Sequence, residues 1–298
     1  MEYIDLHVHS NKSDGTLCPT ELVNYAAKSG LAAIALTDHD CVDGIKEARA
    51  ASSNLAAQGR FIYVVPGVEL SADYKKRDIH ILGLFIDPDH PVLVSALEKA
   101  RASRDIRNEK MVRALQKANI QITLKDLTFG TNDTVITRAH YARFLVEHGY
   151  VKDRKEAFRK YLDSDTPYYV RREYMQPKEA IETIRKAGGV PVLAHPLLYH
   201  LSPEGVCELV RLLSDAGLAG IEAIYSANTG TDEAFVRQLA AKFHLLISGG
   251  SDFHGANKPE IEIGTGRGNL RIPKDILTPL IPSCMKQEIQ LFYTNSTI

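Results

Sequence analysis

Six of the eleven histidines stand in short motifs, and all of these motifs but that of His195 also carry a carboxylate. His7 and His9 lie in DLHVHS, and Asp14 follows in NKSDGT. His39 lies in TDHD, Glu69 in GVELS, His80 in DIHILG, His195 in AHP, and Asp252 and His254 in GSDFHG. Imidazoles and carboxylates without a thiolate suit Mn, Fe or Zn in a reactive site better than a structural zinc. Nine such side chains exceed what one ion takes. They fit two or three divalent ions, with one carboxylate as a bridge. Clustered ions of this kind clamp phosphate oxygens and lower the pKa of bound water, the chemistry of phosphoester hydrolysis. A single one of these histidines would more often be structural, but nine ligand-type side chains at successive strand ends are hard to explain that way.

Bringing these residues together requires a scaffold that gathers distant segments. Residues 3–9, 31–37, 61–70 and 78–86 read as strands, the last reached through the polar turn 73–77. On the first strand the i,i+2 spacing puts His7 and His9 on one face. Residues 19–29 and 43–58 read as helices, with Pro19 at a start and Gly30 and Gly59 as stops. This βαβα rhythm predicts a parallel sheet covered by helices. Between about residues 90 and 170 no strand run occurs, and 91–119, 137–148 and 154–162 read as helices. Alternation then resumes with helix 177–186, strand 190–194, helix 203–216, strand 220–225, helix 232–243 and strand 245–248. About seven strands favour an α/β barrel, whose C-terminal strand ends converge on one face. The organisation expected is a barrel from residues 1–90 and 176–298 with a helical insertion at 91–175 that binds substrate.

Composition sets the broad class. Of 298 residues 44% are hydrophobic and 24% charged, which excludes wholesale disorder and fibrous architectures. No apolar run approaches the ~20 residues of a membrane span. The start MEYIDLHVHS does not read as a signal peptide. The four cysteines are scattered and suit a reducing, cytoplasmic setting. A net charge of −1 hides an asymmetry: residues 101–172 carry 16 Lys and Arg against 9 Asp and Glu. That surplus suggests an anion-facing module. Arg104, Arg107 and Asn108 share a helix face. Arg138 and His140 open a helix whose expected N-cap is Thr137. Arg171 and Arg172 follow the strand-like Tyr168-Tyr169-Val170. Arg104, Arg107, Asn108, Arg138, His140 and Arg171 are the substrate-binding candidates, and each arginine is equally readable as a solvated surface charge. Asp5, Asp38 and Asp40 adjoin the histidine motifs and are expected to orient imidazoles. His90, His148, His200 and His244 lack motif context and read as structural. Cys41, beside TDHD, is not read as a nucleophile.

DLHVHS, SDGT, TDHD, GVELS, IHILG, AHP and GSDFHG, in this order, resemble the motifs of the PHP (polymerase and histidinol phosphatase) superfamily. The resemblance implies a distorted (β/α)7 barrel with a trinuclear metal site. It implies a first metal held by His7, His9, Glu69 and Asp252. Glu69 would bridge to a second held by His80 and His195, and Asp14, His39 and His254 would hold a third. Many relatives carry His where Asp14 stands, and Asp here is similar to the stand-alone phosphoesterase branch. ARASRDIRNEKMVRAL, VITRAHYARFLVEHGYV and YLDSDTPYYVRR resemble the helical insert of PHP proteins that hydrolyse nucleotide phosphates. Those include 3′,5′-nucleotide bisphosphate phosphatase and an exoribonuclease that trims short RNAs from the 5′ end. The expectation is a metal-dependent phosphomonoesterase acting on a small phosphorylated substrate, a nucleotide, with short RNA as an open alternative. His195 or His254 would protonate the leaving oxygen. Histidinol-phosphate phosphatase is a rival reading, but that small substrate does not need a basic segment of about 70 residues. A non-catalytic PHP structural module is another, but such modules often lose ligands, and all nine positions here carry ligand-type residues. Oligomeric state and the segment 271–298 are left open.

Overall fold

Strand-length apolar runs alternate with amphipathic helices, and the chain folds along that rhythm. The computed structural model describes residues 2–130 and 134–286. In chain order the first elements are β1 (Tyr3–Val8), α1 (Pro19–Lys28), β2 (Leu31–Leu36), α2 (Ile45–Ala56), β3 (Tyr63–Tyr74) and β4 (Arg77–Leu84). Then come α3 (Pro91–Lys117), α4 (Arg138–Glu147) and α5 (Arg154–Ala157), which runs into one π-helical turn, Phe158–Leu162. The remainder is α6 (Pro177–Lys186), β5 (Val190–Leu193), α7 (Pro203–Asp215), β6 (Gly220–Tyr225), α8 (Asp232–Lys242) and β7 (Leu246–Gly250). No helix among the described residues is long and apolar enough to cross a membrane.

The seven strands form one sheet in the order β1 to β7. It curls until its edges meet just past β7, where the Asp252 N–H donates to the His7 carbonyl (2.9 Å) and the His9 N–H donates to the Phe253 carbonyl (3.0 Å). The fold is therefore a nearly closed α/β barrel. Closure is tight, because a side chain at Gly250 would run into His7, and only glycine fits there.

One expectation is corrected. The sheet is not all parallel: β4 runs antiparallel to both β3 and β5. Only Lys75 and Lys76 link β3 to β4, both with positive φ (49° and 67°). That is a two-residue hairpin turn, whereas a parallel pairing would need a crossover of a dozen residues or more. The reversal has two consequences. It brings the beginning of β4, with His80, to the end of the barrel where the other strands finish. It also delivers Leu84 to the opposite end, paired with Val190 at the start of β5. The chain climbs back through α3, which at 1.5 Å per residue is about 40 Å long. Its Leu93 and Leu97 pack on the barrel, whereas Met111, Val112 and Leu115 belong to a separate apolar cluster with Tyr141, Phe144, Leu145 and Leu162.

Two further clusters hold the barrel. One ties helices to sheet through Leu22, Ala26, Ile34, Leu36, Ile181 and Leu209. The other joins Ile4, Leu6, Ala35, Leu82 and Val192 to Ile272, Leu277 and Leu280. The first part of the uninterpreted segment thus packs on the barrel. Residues 287–298 of that segment lie outside the described residues.

Candidate metal centre

The nine motif side chains meet at one end of the barrel, and Glu69, 1% exposed, is their hub. Its Oε1 is 2.8 Å from His80 Nδ1 and 3.1 Å from His195 Nε2. Its Oε2 is 2.9 Å from His39 Nδ1, 3.3 Å from His9 Nε2 and 3.4 Å from His7 Nε2. Asp252 Oδ1 is 3.3 Å from both His9 Nε2 and His254 Nδ1. Asp14 Oδ1 is 3.1 Å from His254 Nε2, and its Oδ2 is 3.7 Å from His39 Nε2. Two of these residues turn sharply just beyond a strand: His195 and Asp252 have φ of 27° and 59°. Strained backbone of this kind concentrates at functional sites.

The residues fit a group of cations. Buried polar atoms normally find partners, yet His7 Nε2, both His9 ring nitrogens, His39 Nδ1, His80 Nδ1, Glu69 Oε2 and Asp14 Oδ1 have no hydrogen-bond partner. They fall into sets with metal-ligand spacing: His9, Asp14, His39 and His254; His7, His9 and Glu69; His39, Glu69 and His80. Burial pushes the Glu69, Asp14 and Asp252 carboxyls up, but the charges facing them outweigh it. His39 and His80 hold Glu69 well below the ordinary carboxylate range, His254 and His39 do so for Asp14, and Lys258 and His254 for Asp252. Burial drives His9 down to about 3, the neutral form a metal ligand needs.

The groups that orient this set are not those the sequence suggests. Asp5 accepts from the Ser251 N–H and hydroxyl and from the Gly264 N–H, fastening the β7 end to β1. Asp38 accepts from the Ser10 N–H and from the Ser10 and Ser13 hydroxyls. Asp40 is taken by Arg104 (2.6 Å), Arg172 (2.9 Å) and the Ser71 N–H. None of the three is hydrogen-bonded to an imidazole, because each faces the backbone or cation next to it. Glu222 does that work, with Oε1 3.0 Å from His7 Nδ1 and Oε2 accepting from the His195 N–H at 2.7 Å. A fully buried glutamate inside the apolar strand GIEAIY was the available signal. Tyr225 and Lys258 hold the other oxygen of Asp252.

A cavity of about 350 Å³ opens over the cluster, bordered by Asp14, His39, His80 and His254. Its cationic wall is Arg104, Arg107, Arg138, Arg154, Arg172 and Lys258. Arg104, Arg107 and Arg138 are candidates from the sequence; Arg172 was noted there only as the neighbour of the candidate Arg171, and Arg154 was missed. Arg171 does not border this cavity. It pairs with Asp73 at 2.6 Å, since neighbouring residues of an extended segment face opposite ways and Arg172 takes the inward position. Asn108 and His140 are also withdrawn. Asn108 donates to the Ile136 carbonyl, and His140 Nδ1 accepts the Thr137 N–H in a capping box. Burial lowers His140 to about 4. Asp78, absent from the sequence reading, borders the cavity with Oδ1 3.5 Å from His80 Nε2. His195 and His254 both turn Nε2 to a carboxylate of the cluster at 3.1 Å, and His254 Nδ1 is 2.8 Å from the Asp252 carbonyl. A nitrogen that ligates cannot also deliver a proton, so ligation and general acid catalysis exclude each other at these atoms. The geometry favours ligation.

A PHP domain profile matches residues 5–249. The chain belongs to the PHP family. This PHP chain is 38% identical to a 3′,5′-nucleoside bisphosphate phosphatase of Chromobacterium violaceum over 266 residues, 89% of the chain and 91% of that protein. It is also 38% identical to a 5′-3′ exoribonuclease of Haemophilus influenzae over 250 residues, 84% of the chain and 89% of that enzyme. Among solved structures, a Chromobacterium violaceum amidohydrolase with bound sulfate and no metal superposes with a TM-score of 0.83 at 35% identity. That match covers 97% of this chain and 96% of the other. The PHP barrel, its histidine and carboxylate cluster and these relatives make the protein a metal-dependent phosphoesterase.

Proposed function

We propose that this phosphoesterase removes phosphate from nucleotides carrying a second phosphate, either 3′,5′-nucleoside bisphosphates or the 5′ ends of short RNAs. The observation that carries this reading is the charge balance of the cavity wall. Arg104 and Arg172 are matched by Asp40, and Lys258 by Asp252. Among the described residues Arg107 and Arg154 have no carboxylate partner, and Arg138 has only Asp78, at 3.9 Å. Three cations therefore remain for a substrate anion besides the phosphate at the metal cluster.

In this reading His7, His9, Glu69 and Asp252 would hold one divalent ion. Glu69, His80 and His195 would hold a second, and Asp14, His39 and His254 a third; Mn, Fe and Zn suit the donors. Such ions supply Lewis acidity toward phosphate oxygens and acidify water. The chain's residues do the rest. Glu222 fixes the His7 ring and the His195 backbone. Arg138 reaches the cavity from the first turn of α4 and, with Arg107 and Arg154, holds the distal phosphate. This alignment turns binding energy into orientation. The rings of Phe158 and Tyr169 lie 5.9 and 5.8 Å from the Arg138 guanidinium and confine it.

The test compares Mn-loaded protein on adenosine 3′,5′-bisphosphate, AMP, histidinol phosphate, a 5′-phosphorylated trinucleotide and p-nitrophenyl phosphate. Arg138→Ala and Arg154→Ala are expected to lower kcat/KM on the bisphosphate by about 10- to 150-fold each, from ~1.5–3 kcal/mol per charge-assisted contact. The loss on p-nitrophenyl phosphate should be far smaller. Equal losses on both substrates, or histidinol phosphate as the best substrate, would overturn the reading.

A further inference from the structure

Among the described residues, the segment between β4 and α6 meets the metal cluster itself at the Thr137 hydroxyl. Thr137 Oγ1 donates to Asp14 Oδ2 at 2.8 Å and accepts the Ala139 N–H at 3.1 Å. The same oxygen therefore caps α4 and grips a carboxylate of the cluster. The contact is buried, with Thr137 6% and Asp14 4% exposed. It ends a short run in which residues 134–137 are laced to the loop carrying Asp14. The Val135 N–H donates to the Lys12 carbonyl at 2.9 Å, and the Thr134 hydroxyl to the Ser13 carbonyl at 2.7 Å. Asp14 stands on the loop after β1, six residues past the strand end, and its Oδ2 is otherwise faced by His39 Nε2 at 3.7 Å.

We propose that Thr137 is a positioning residue that holds Asp14 as a ligand, so that the ion shared by Asp14, His39 and His254 is retained only while the helical segment is docked. This rests on the ligand assignment above. With Oδ2 tied to Thr137, the Oδ1 atom is left toward His254 and free of any hydrogen bond. Without the hydroxyl, the carboxylate can rotate away from the two imidazoles. Partners that orient a metal ligand in this way change affinity by roughly 10- to 100-fold. Arg138 follows Thr137 directly, so a substrate anion that Arg138 binds also steadies the residue holding Asp14.

Metal content tests this independently of turnover. Wild type, Asp14→Asn, Thr137→Val, Thr137→Gly, Thr137→Ser and His140→Ala are equilibrated in buffered Mn2+ and counted by mass spectrometry and calorimetric titration. Glycine is tolerated at an N-cap at little cost, so Thr137→Gly removes the hydroxyl while sparing the helix start. His140→Ala opens the capping box and removes the 3.4 Å contact of its Nδ1 with the Thr137 hydroxyl, while the hydrogen bond from that hydroxyl to Asp14 stays. The expected result is one ion fewer, or its affinity lowered by roughly 10- to 100-fold, in Asp14→Asn, Thr137→Val and Thr137→Gly. Thr137→Ser and His140→Ala should retain the wild-type content. If Asp14→Asn loses the ion and both hydroxyl-free variants keep it, the role of Thr137 is overturned and the ligand assignment stands. If Asp14→Asn itself loses nothing, the ligand assignment fails and this proposal with it. A loss in His140→Ala equal to that in Thr137→Gly would mean that capping, not the grip on Asp14, is what matters. Thermal melts of the metal-free variants establish that each is folded.

Discussion

Glu69 is the residue on which the cluster turns. Five imidazoles face its two oxygens within 3.4 Å. Removing its charge leaves cations on both sides less compensated, whereas Asp14 faces one side only. Glu69→Gln should therefore lower phosphatase activity by more than about 100-fold, beyond what loss of an orienting partner costs, and Asp14→Asn by less. Equal losses in steady-state assays would contradict the hub role. His80 adds a pH dependence. Burial lowers its pKa, but Glu69 and Asp78 outweigh burial and raise it to about 10. The metal-free ring is thus protonated at pH 7.5 and must lose its proton to ligate. Metal loading should release protons, and apparent affinity should rise with pH up to about 10. Titration in buffers of different ionisation enthalpy measures this, and loading with no proton release would refute it.

At the scale of elements, α3 is joined to the barrel through charge as well as through Leu93 and Leu97. Asp40, just past β2, takes Arg104 from α3 and Arg172 from the segment before α6, all nine-tenths buried or more. Burial raises the Asp40 carboxyl, but the two guanidiniums bring it well below its usual range. Breaking a buried pair strands the remaining charge, so Asp40→Asn should cost about 3–5 kcal/mol. Because the folded pKa is depressed, this contribution is present above the unfolded value near 4 and is lost as pH falls through the folded one. Denaturant titration at pH 7 should show the loss, and an unchanged midpoint would mean that the helix docks by apolar contacts alone.

For the whole molecule, the cluster draws on β1, β3, β4, the loops after β1, β2, β5 and β7, and through Glu222 on β6. Ions held there are bound by the folded state and not by the open chain. At 100 times the dissociation constant such binding is worth about 2.7 kcal/mol. In a chain of 298 residues that corresponds to a rise in Tm of roughly 4 °C per ion. Calorimetry with and without chelator should show the shift at constant protein concentration. A Tm indifferent to metal would argue against ligation by these strands.

What could be read from the chain alone follows from locality. The nine ligand-type residues sit in short motifs at strand ends, and the periodicity of apolar residues marks those ends. A barrel then needs only its general geometry to bring them together. Arg104 and Arg107 of α3 were legible because helical spacing fixes which residues share a face, and Arg138 because Thr137 marks the start of a helix. Other features depend on neighbours far along the chain. The direction of β4 turns on two residues with positive φ. The choice of Arg172 over Arg171 turns on a one-residue alternation with no periodic pattern around it. Asp40 stands beside a histidine in sequence yet belongs to two arginines 64 and 132 positions away. Glu222 looks like an anomaly in an apolar strand until His7, 215 residues earlier, is set against it. Sequence by itself therefore determined which atoms could ligate and roughly where, because donor chemistry and strand periodicity are local. Tertiary structure alone decided which charges are cancelled and which remain free, because a charge is defined by its surroundings and those are assembled only when the barrel closes.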